Sequence, residues 1–181
     1  MSGAKKHGSV SGAKKHGSVS GAKKHGSVSA AKKHGSVSAP ASIDWDALVA
    51  AATAARANAH APYSRFLVGA ALLADDGRVF VGANCENAAY PLGLCAERGA
   101  ISAAITAGAR RFLACVVVTG GPGAASPCGG CRQVLAEFGP SFPVRSVALD
   151  GSGVLDSSVA ALLPLAFDPA QLPTIDEKRR A

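Results

Sequence analysis

Two short stretches hold most of the residues that can do chemistry: Cys95-Ala96-Glu97-Arg98 and Pro127-Cys128-Gly129-Gly130-Cys131. Each opens a stretch that reads as a helix, the first running from Cys95 to about Ala107 and the second from Gly129 to Phe138. Both cysteine groups therefore fall at helix N-termini, where free backbone N–H groups and the helix dipole favour thiolate over thiol. A C-x-x-C at a helix start can place both sulfurs on one metal ion. With a third thiolate at ~2.3 Å, a Zn²⁺ ion keeps its fourth tetrahedral position for water, as a catalytic site requires. Glu97, in the first turn beside Cys95, can reach that position without binding the metal. It is placed to take a proton from the activated water and hand it on. Taken alone, a C-x-x-C is more often a redox pair or a structural zinc site, but a structural site wants a fourth Cys or His. Outside the N-terminal repeat the one histidine is His60, and Cys85 is the remaining candidate for a fourth ligand. Cys115 lies inside an apolar run and reads as a packed core thiol.

These groups need a scaffold, and the pattern supplies one. Asp44 to about His60 is alanine-rich, with Trp45, Leu48 and Val49 at helical spacing and Ser42 or Asp44 as cap. Phe66–Ala74 is an apolar run, Asp75-Asp76-Gly77 a turn, and Arg78–Gly82 a returning strand, which together make a hairpin. Gly108 suits the residue just past the end of the Cys95 helix. Leu113–Thr119 is almost continuously apolar, as a strand buried on both faces would be. Gly139-Pro140 stops the second cysteine helix, Val144–Leu149 is another strand, and Ser157 to about Leu163 reads as a short last helix. The order α-β-β-α-β-α-β predicts helices packed on a mixed sheet.

Charge divides the chain of 181 residues in two. Residues 1–38 carry eight lysines and no acid, in a nine-residue unit, (G/A)-A-K-K-H-G-S-V-S, that recurs from Gly3, Gly12, Gly21 and Ala30. One valine per unit is too little apolar surface to offset chain entropy, so residues 1–40 are expected to form a disordered basic tail. Such a tail can attach to a polyanion or bind metal weakly through His7, His16, His25 and His34, or simply be a solvated appendage. Residues 39–181 carry eleven basic and twelve acidic side chains. The folded domain, residues 41–181, is thus close to neutral, and nucleic acid is expected only at the tail. No apolar run follows the basic N-terminus and none approaches the roughly 20 residues of a membrane span, so neither a secretory leader nor a membrane anchor is expected. Five cysteines, two of them in a C-x-x-C, fit a reducing, cytoplasmic setting.

C-A-E-R followed by P-C-x-x-C-R-Q resembles the zinc-dependent nucleoside deaminases, specifically the small cytidine deaminases, whose wider class has a three-cysteine variant and a glutamate that is not a ligand. Four further stretches match: Pro62-Tyr63-Ser64-Arg65-Phe66, Val68-Gly69-Ala70-Ala71, Asn84-Cys85-Glu86-Asn87-Ala88-Ala89-Tyr90 and Arg132-Gln133. The likeness runs from about Trp45 to Phe167, and the whole set in order is far more specific than any piece. It implies a three-layer α/β/α domain on a five-stranded mixed sheet, usually a homotetramer, the cysteine at position 95 pointing to the homotetrameric branch. It also implies zinc on Cys95, Cys128 and Cys131 with Glu97 as proton shuttle. Asn84 and Glu86 would hold the ribose hydroxyls and Phe66 would pack against the pyrimidine. Ala88 and Tyr90 would reach a neighbouring subunit's site, and Phe167 would close a neighbour's pocket. Arg98 has a physical role of its own: three thiolates on Zn²⁺ leave a net negative charge, which a guanidinium bonded to the sulfurs would draw off. Two departures stand out, Cys85 inside N-x-E-N and Gly99 in a helix interior, where glycine costs about 1 kcal/mol against alanine.

The expected activity is hydrolytic deamination of cytidine and deoxycytidine to uridine and deoxyuridine, with release of ammonia, in pyrimidine salvage. An aminonucleoside-antibiotic deaminase on the same fold is the first alternative, and Asn84-x-Glu86 favours a ribose. An editing deaminase acting on polynucleotides would need a basic channel that the near-neutral domain lacks. A non-catalytic zinc module would have no use for Glu97.

Overall fold

The computed structural model describes residues 42–167 and Leu172. The expectation of a disordered tail over residues 1–40 lies outside them. Asp44, not Ser42, caps the first helix by accepting the Ala47 N–H at 3.0 Å, and α1 runs Trp45–Arg56. Leu48, Ala52 and Ala55 are its buried residues, one face at spacings of four and three. The hairpin follows as read, with β1 at Val68–Ala74 and β2 at Val79–Ala83, joined through Gly77 at φ 84°. A single 3₁₀ turn, Tyr90–Leu92, leads to α2, Ala96–Thr106. Gly108 ends α2 at φ 87°, a backbone conformation that a Cβ would strain, with its N–H on the Ile105 carbonyl. Then come β3 (Phe112–Thr119), α3 (Gly129–Ala136), β4 (Pro143–Ala148), β5 (Val154–Ser158) and α4 (Val159–Leu162).

The five strands form one sheet in the order β2-β1-β3-β4-β5. It is mixed: β3 and β4 are parallel, and the other three neighbouring pairs are antiparallel. Hydrophobic pattern alone predicts four strands. The fifth, implied only by the family resemblance, is the exposed edge strand Val154-Leu155-Asp156-Ser157-Ser158, which takes the first two residues of the helix expected from Ser157.

The two-residue period of β3 sorts its side chains. Ala114, Val116 and Val118 pack with Ala71 against Leu48 and Ala52 of α1. Cys115 and Val117 pack on the opposite face, with Ala70 and Leu72 of β1, Ala96, Ala100 and Ile101 of α2, and Leu135 of α3. This is the three-layer α/β/α domain, with β3 buried on both faces. On the α2 side the layers approach closely. A Cβ on Gly82 would lie 2.3 Å from the Ala96 carbonyl oxygen and 2.4 Å from the Ala100 nitrogen. Gly82 thus lets α2 settle on β2, and this contact fixes the height at which the N-terminus of α2 emerges.

Candidate active site

Cys95 is the N-cap of α2 and Cys128 the N-cap of α3, both with extended backbone (ψ 154° and 163°) and neither capping its own helix. Their side chains are free to turn toward each other, and the sulfurs lie 3.8 Å apart. Cys131, in the first turn of α3 and fully buried, completes the group: all three sulfurs lie within 4.8 Å of one another. The Cys95 thiol is lowered to about 5, first by the Cys131 thiol that bonds to it and then by Cys128 and the neighbouring Arg98 guanidinium, against partial burial. Cys131 is pushed up, because its proton is held in the bond to Cys95 and because it is buried. Glu97, the second residue of α2, is only 4% exposed. Burial holds its carboxyl above the usual carboxylate range, and the negative charge at Cys95 adds to the effect.

Zinc fits this donor set. Four ligands at ~2.3 Å in a tetrahedron set their sulfurs ~3.8 Å apart, the separation found between Cys95 and Cys128. Among the described residues no fourth Cys, His, Asp or Glu joins the cluster, so neither Cys85 nor His60 is a ligand here. Cys115 is sealed in the core, where burial pushes its thiol up. Arg98 lies beside Cys95 and also donates to the Gly93 carbonyl oxygen at 2.6 Å, which anchors it.

A cavity of about 550 Å³ opens over the cluster, within the range for small-molecule sites. Its wall brings together Cys95, Glu97, Arg98, Cys128, Phe66, Asn84, Glu86 and Tyr90. Asn84 and Glu86 also hold the loop that carries Phe66. The Asn84 Oδ1 accepts the Val68 N–H at 2.8 Å, and its Nδ2 donates to the Phe66 carbonyl at 2.9 Å. Glu86 Oε2 accepts the N–H groups of Tyr63 at 2.9 Å and Ser64 at 3.1 Å, while Oε1 accepts the Ser64 hydroxyl. These bonds, the Ser64 hydroxyl foremost, hold the Glu86 carboxyl below its ordinary range.

A cluster of three thiols, a buried glutamate at its side and a nucleoside-sized cavity now stand together. Residues 43–145 match the family described as the cytidine and deoxycytidylate deaminase zinc-binding region. The chain belongs to the cytidine deaminase family. It is 47% identical over 131 residues to a cytidine deaminase of Sporosarcina psychrophila, covering 72% of this chain and 96% of that protein. It is 46% identical over 136 residues to the Mycobacterium tuberculosis H37Rv cytidine deaminase, covering 72% and 95%. Among solved structures, the Burkholderia pseudomallei cytidine deaminase superposes with a TM-score of 0.66 at 48% identity, covering 69% of this chain and all of that one. The Mycobacterium leprae cytidine deaminase gives 0.59 at 45% identity, covering 67% and 98%. The cluster of Cys95, Cys128 and Cys131 is compatible with the zinc of this deaminase family.

Not every residue that the resemblance singled out converges on the deaminase cavity. Tyr90 lines it but is 73% exposed, packed edge-on against Tyr63. Ala88 is exposed and outside the lining. Phe167, 57% exposed, also lies outside it, and its carbonyl accepts from Gln133 Nε2 at 3.1 Å. Conversely, three groups to which the sequence assigns no role bear on the site, Arg132 among them although it belongs to a matching stretch. Arg132 ties the cysteine loop to α4, donating to the Pro127 carbonyl at 2.7 Å, the Ser126 hydroxyl at 2.8 Å and the Leu162 carbonyl at 3.1 Å. Arg56 reaches from α1 to the Leu67 carbonyl at 3.0 Å, behind Phe66. Thr119, on the cavity wall, ends a strand whose apolar run gave no sign of a polar role.

Proposed function

We propose that this protein hydrolyses cytidine and 2′-deoxycytidine to uridine and 2′-deoxyuridine, releasing ammonia. The observation that carries the reading is the buried carboxylate of Glu97 beside a three-sulfur cluster on the wall of a nucleoside-sized cavity. Cys95, Cys128 and Cys131 would hold zinc, which when bound acidifies a water and so supplies a nucleophile at neutral pH. Glu97 takes the proton of the attacking water and passes it to N3 of the ring. It then delivers a proton to the departing amine. Its burial favours this work, since a carboxyl held above its ordinary range keeps a proton long enough to hand it on. Arg98 positions the Cys95 sulfur and draws off part of the negative charge of the cluster. Phe66 packs on the base. Asn84 and Glu86, already tied to the Phe66 loop, present their remaining lone pairs and N–H to the ribose.

The assembly read here is a homotetramer in which Ala88, Tyr90 and Phe167 serve a neighbouring site, and their exposure in the single chain supports that. Five free cysteines support a reducing, cytoplasmic setting and a role in pyrimidine salvage, and no described helix is long and apolar enough to cross a membrane. The test is the loss of cytidine absorbance on deamination, with zinc per chain and particle size measured on the same sample. One zinc per chain, turnover of cytidine and four chains per particle are expected. A preparation that binds zinc but leaves cytidine and deoxycytidine intact, while deaminating an aminonucleoside antibiotic, would move the reading to the alternative substrate.

A further inference from the structure

Among the described residues, one buried side-chain polar atom has no hydrogen-bond partner: Oγ1 of Thr119. The residue is 2% exposed, and it lies on the wall of the cavity beside Phe66, Asn84, Glu97 and Ser126. Its backbone is fully engaged in the sheet. Thr119 pairs with Val68 of β1 and Ala148 of β4, and its carbonyl accepts the Leu149 N–H at 2.8 Å. The side chain is therefore held in place at the carboxyl end of β3, on the same face as Val117, which also lines the cavity. A buried hydroxyl without a partner is costly, and native proteins pair nearly all of them. No protein group partners it and the residue lines the cavity, so its partner comes from what fills the cavity, water or a bound molecule.

Resting on the nucleoside reading above, we propose that the Thr119 hydroxyl hydrogen-bonds the bound pyrimidine nucleoside and is a binding residue of the site. It belongs to the deep wall. Asn84 and Glu86 hold the Phe66 loop at the more exposed side, and Thr119, like Glu97 and Cys131, is almost wholly buried. The contact it makes is with the part of the substrate inserted furthest, and it is formed in the bound ground state as much as during reaction. It therefore acts on affinity and leaves the turnover of bound substrate largely alone.

The test compares Thr119→Val, which keeps the shape and removes the hydroxyl, with Thr119→Ser, which keeps the hydroxyl. Binding of uridine is measured by calorimetry on the zinc-loaded protein, and KM and kcat for cytidine are measured alongside. Thr119→Val is expected to weaken uridine binding and raise KM by about 3–10-fold, the range for one neutral hydrogen bond, with kcat little changed. Thr119→Ser restores wild-type values. If Thr119→Val does not fold, Thr119→Ala takes its place in the comparison. A folded, zinc-loaded Thr119→Val protein with wild-type uridine affinity and KM overturns the proposal and assigns the hydroxyl to water. Equal losses in the Val and Ser variants overturn it in favour of a packing role. If the wild-type protein neither binds uridine nor turns over cytidine, the nucleoside reading itself fails, and the failure shows before any variant is made.

Discussion

Glu97 occupies an unfavourable place for a carboxylate: buried, and next to a thiol that ionises readily. Its position at the start of α2 returns part of that cost, because backbone N–H groups and the helix dipole act on a negative charge there. The balance leaves its carboxyl above the ordinary range. Replacing it with glutamine keeps the shape and removes the titration. Glu97→Gln is expected to retain one zinc per chain and lose roughly 10²–10⁴-fold in kcat for cytidine, the range for general acid–base roles. A variant that turns over at the wild-type rate would remove Glu97 from the mechanism. The cysteines divide in the same way. Cys131→Ala should release zinc, since two sulfurs are left to hold it, whereas Cys115→Ala should retain it, as that thiol faces the α2–α3 core. Metal analysis of the two purified variants separates them. These roles were legible in the sequence because ligand spacing and helix-start position are local properties. Thr119 was not, because whether a threonine at the end of an apolar strand is paired depends on atoms distant in the chain.

The helices and strands that carry the site were set by pattern, and the departures have physical causes. Period and capping place α1, β1, β2, α2, β3 and β4 to within a few residues, apart from the end of α1, which stops at Arg56 rather than near His60. Strand β5 escaped the pattern because it lies at an edge: Val154, Leu155 and Asp156 are all exposed, so no alternation was imposed on it. Gly99 also looked out of place in a helix, and its surroundings explain how it is accommodated without being required. A Cβ there would meet the Gly82 Cα at 3.6 Å, an ordinary contact, whereas a Cβ on Gly82 would strike the backbone of α2. The two glycines should therefore behave oppositely. Gly99→Ala is expected to be neutral or to stabilise by up to about 1 kcal/mol through helix propensity. Gly82→Ala should destabilise by about 1–3 kcal/mol or more, because α2 must lift off the sheet. Urea denaturation of the two variants checks this. If Gly82→Ala matched the wild type, the close approach of α2 to β2 would not be what sets the height of Cys95 and Glu97.

For the whole molecule, the relatives mark how much chain the chemistry needs. The Sporosarcina psychrophila enzyme is matched over 96% of its length by 72% of this chain, and the family match begins at residue 43. We propose that residues 1–40 are an appendage to that unit. Deleting residues 1–38 should leave kcat/KM for cytidine unchanged, while any binding to polyanions, which rests on eight lysines and falls steeply with salt, should vanish. Kinetics and a salt titration on heparin resin would read both, and a truncated protein that lost deaminase activity would show that the repeat contributes to the site. The placing of the three sulfurs also has a consequence for metal uptake. Cys95 and Cys128 are separated by 33 residues, with α2 and β3 between them. Cys128 and Cys131 are near neighbours in the chain, whereas Cys95 meets them only through the fold, with β3 lying in the sheet between β1 and β4. A chain without that sheet holds only two of the three sulfurs close together. Tight zinc binding is thereby coupled to folding, and an unfolded chain should compete poorly for the ion, which a zinc competition titration in denaturant would check.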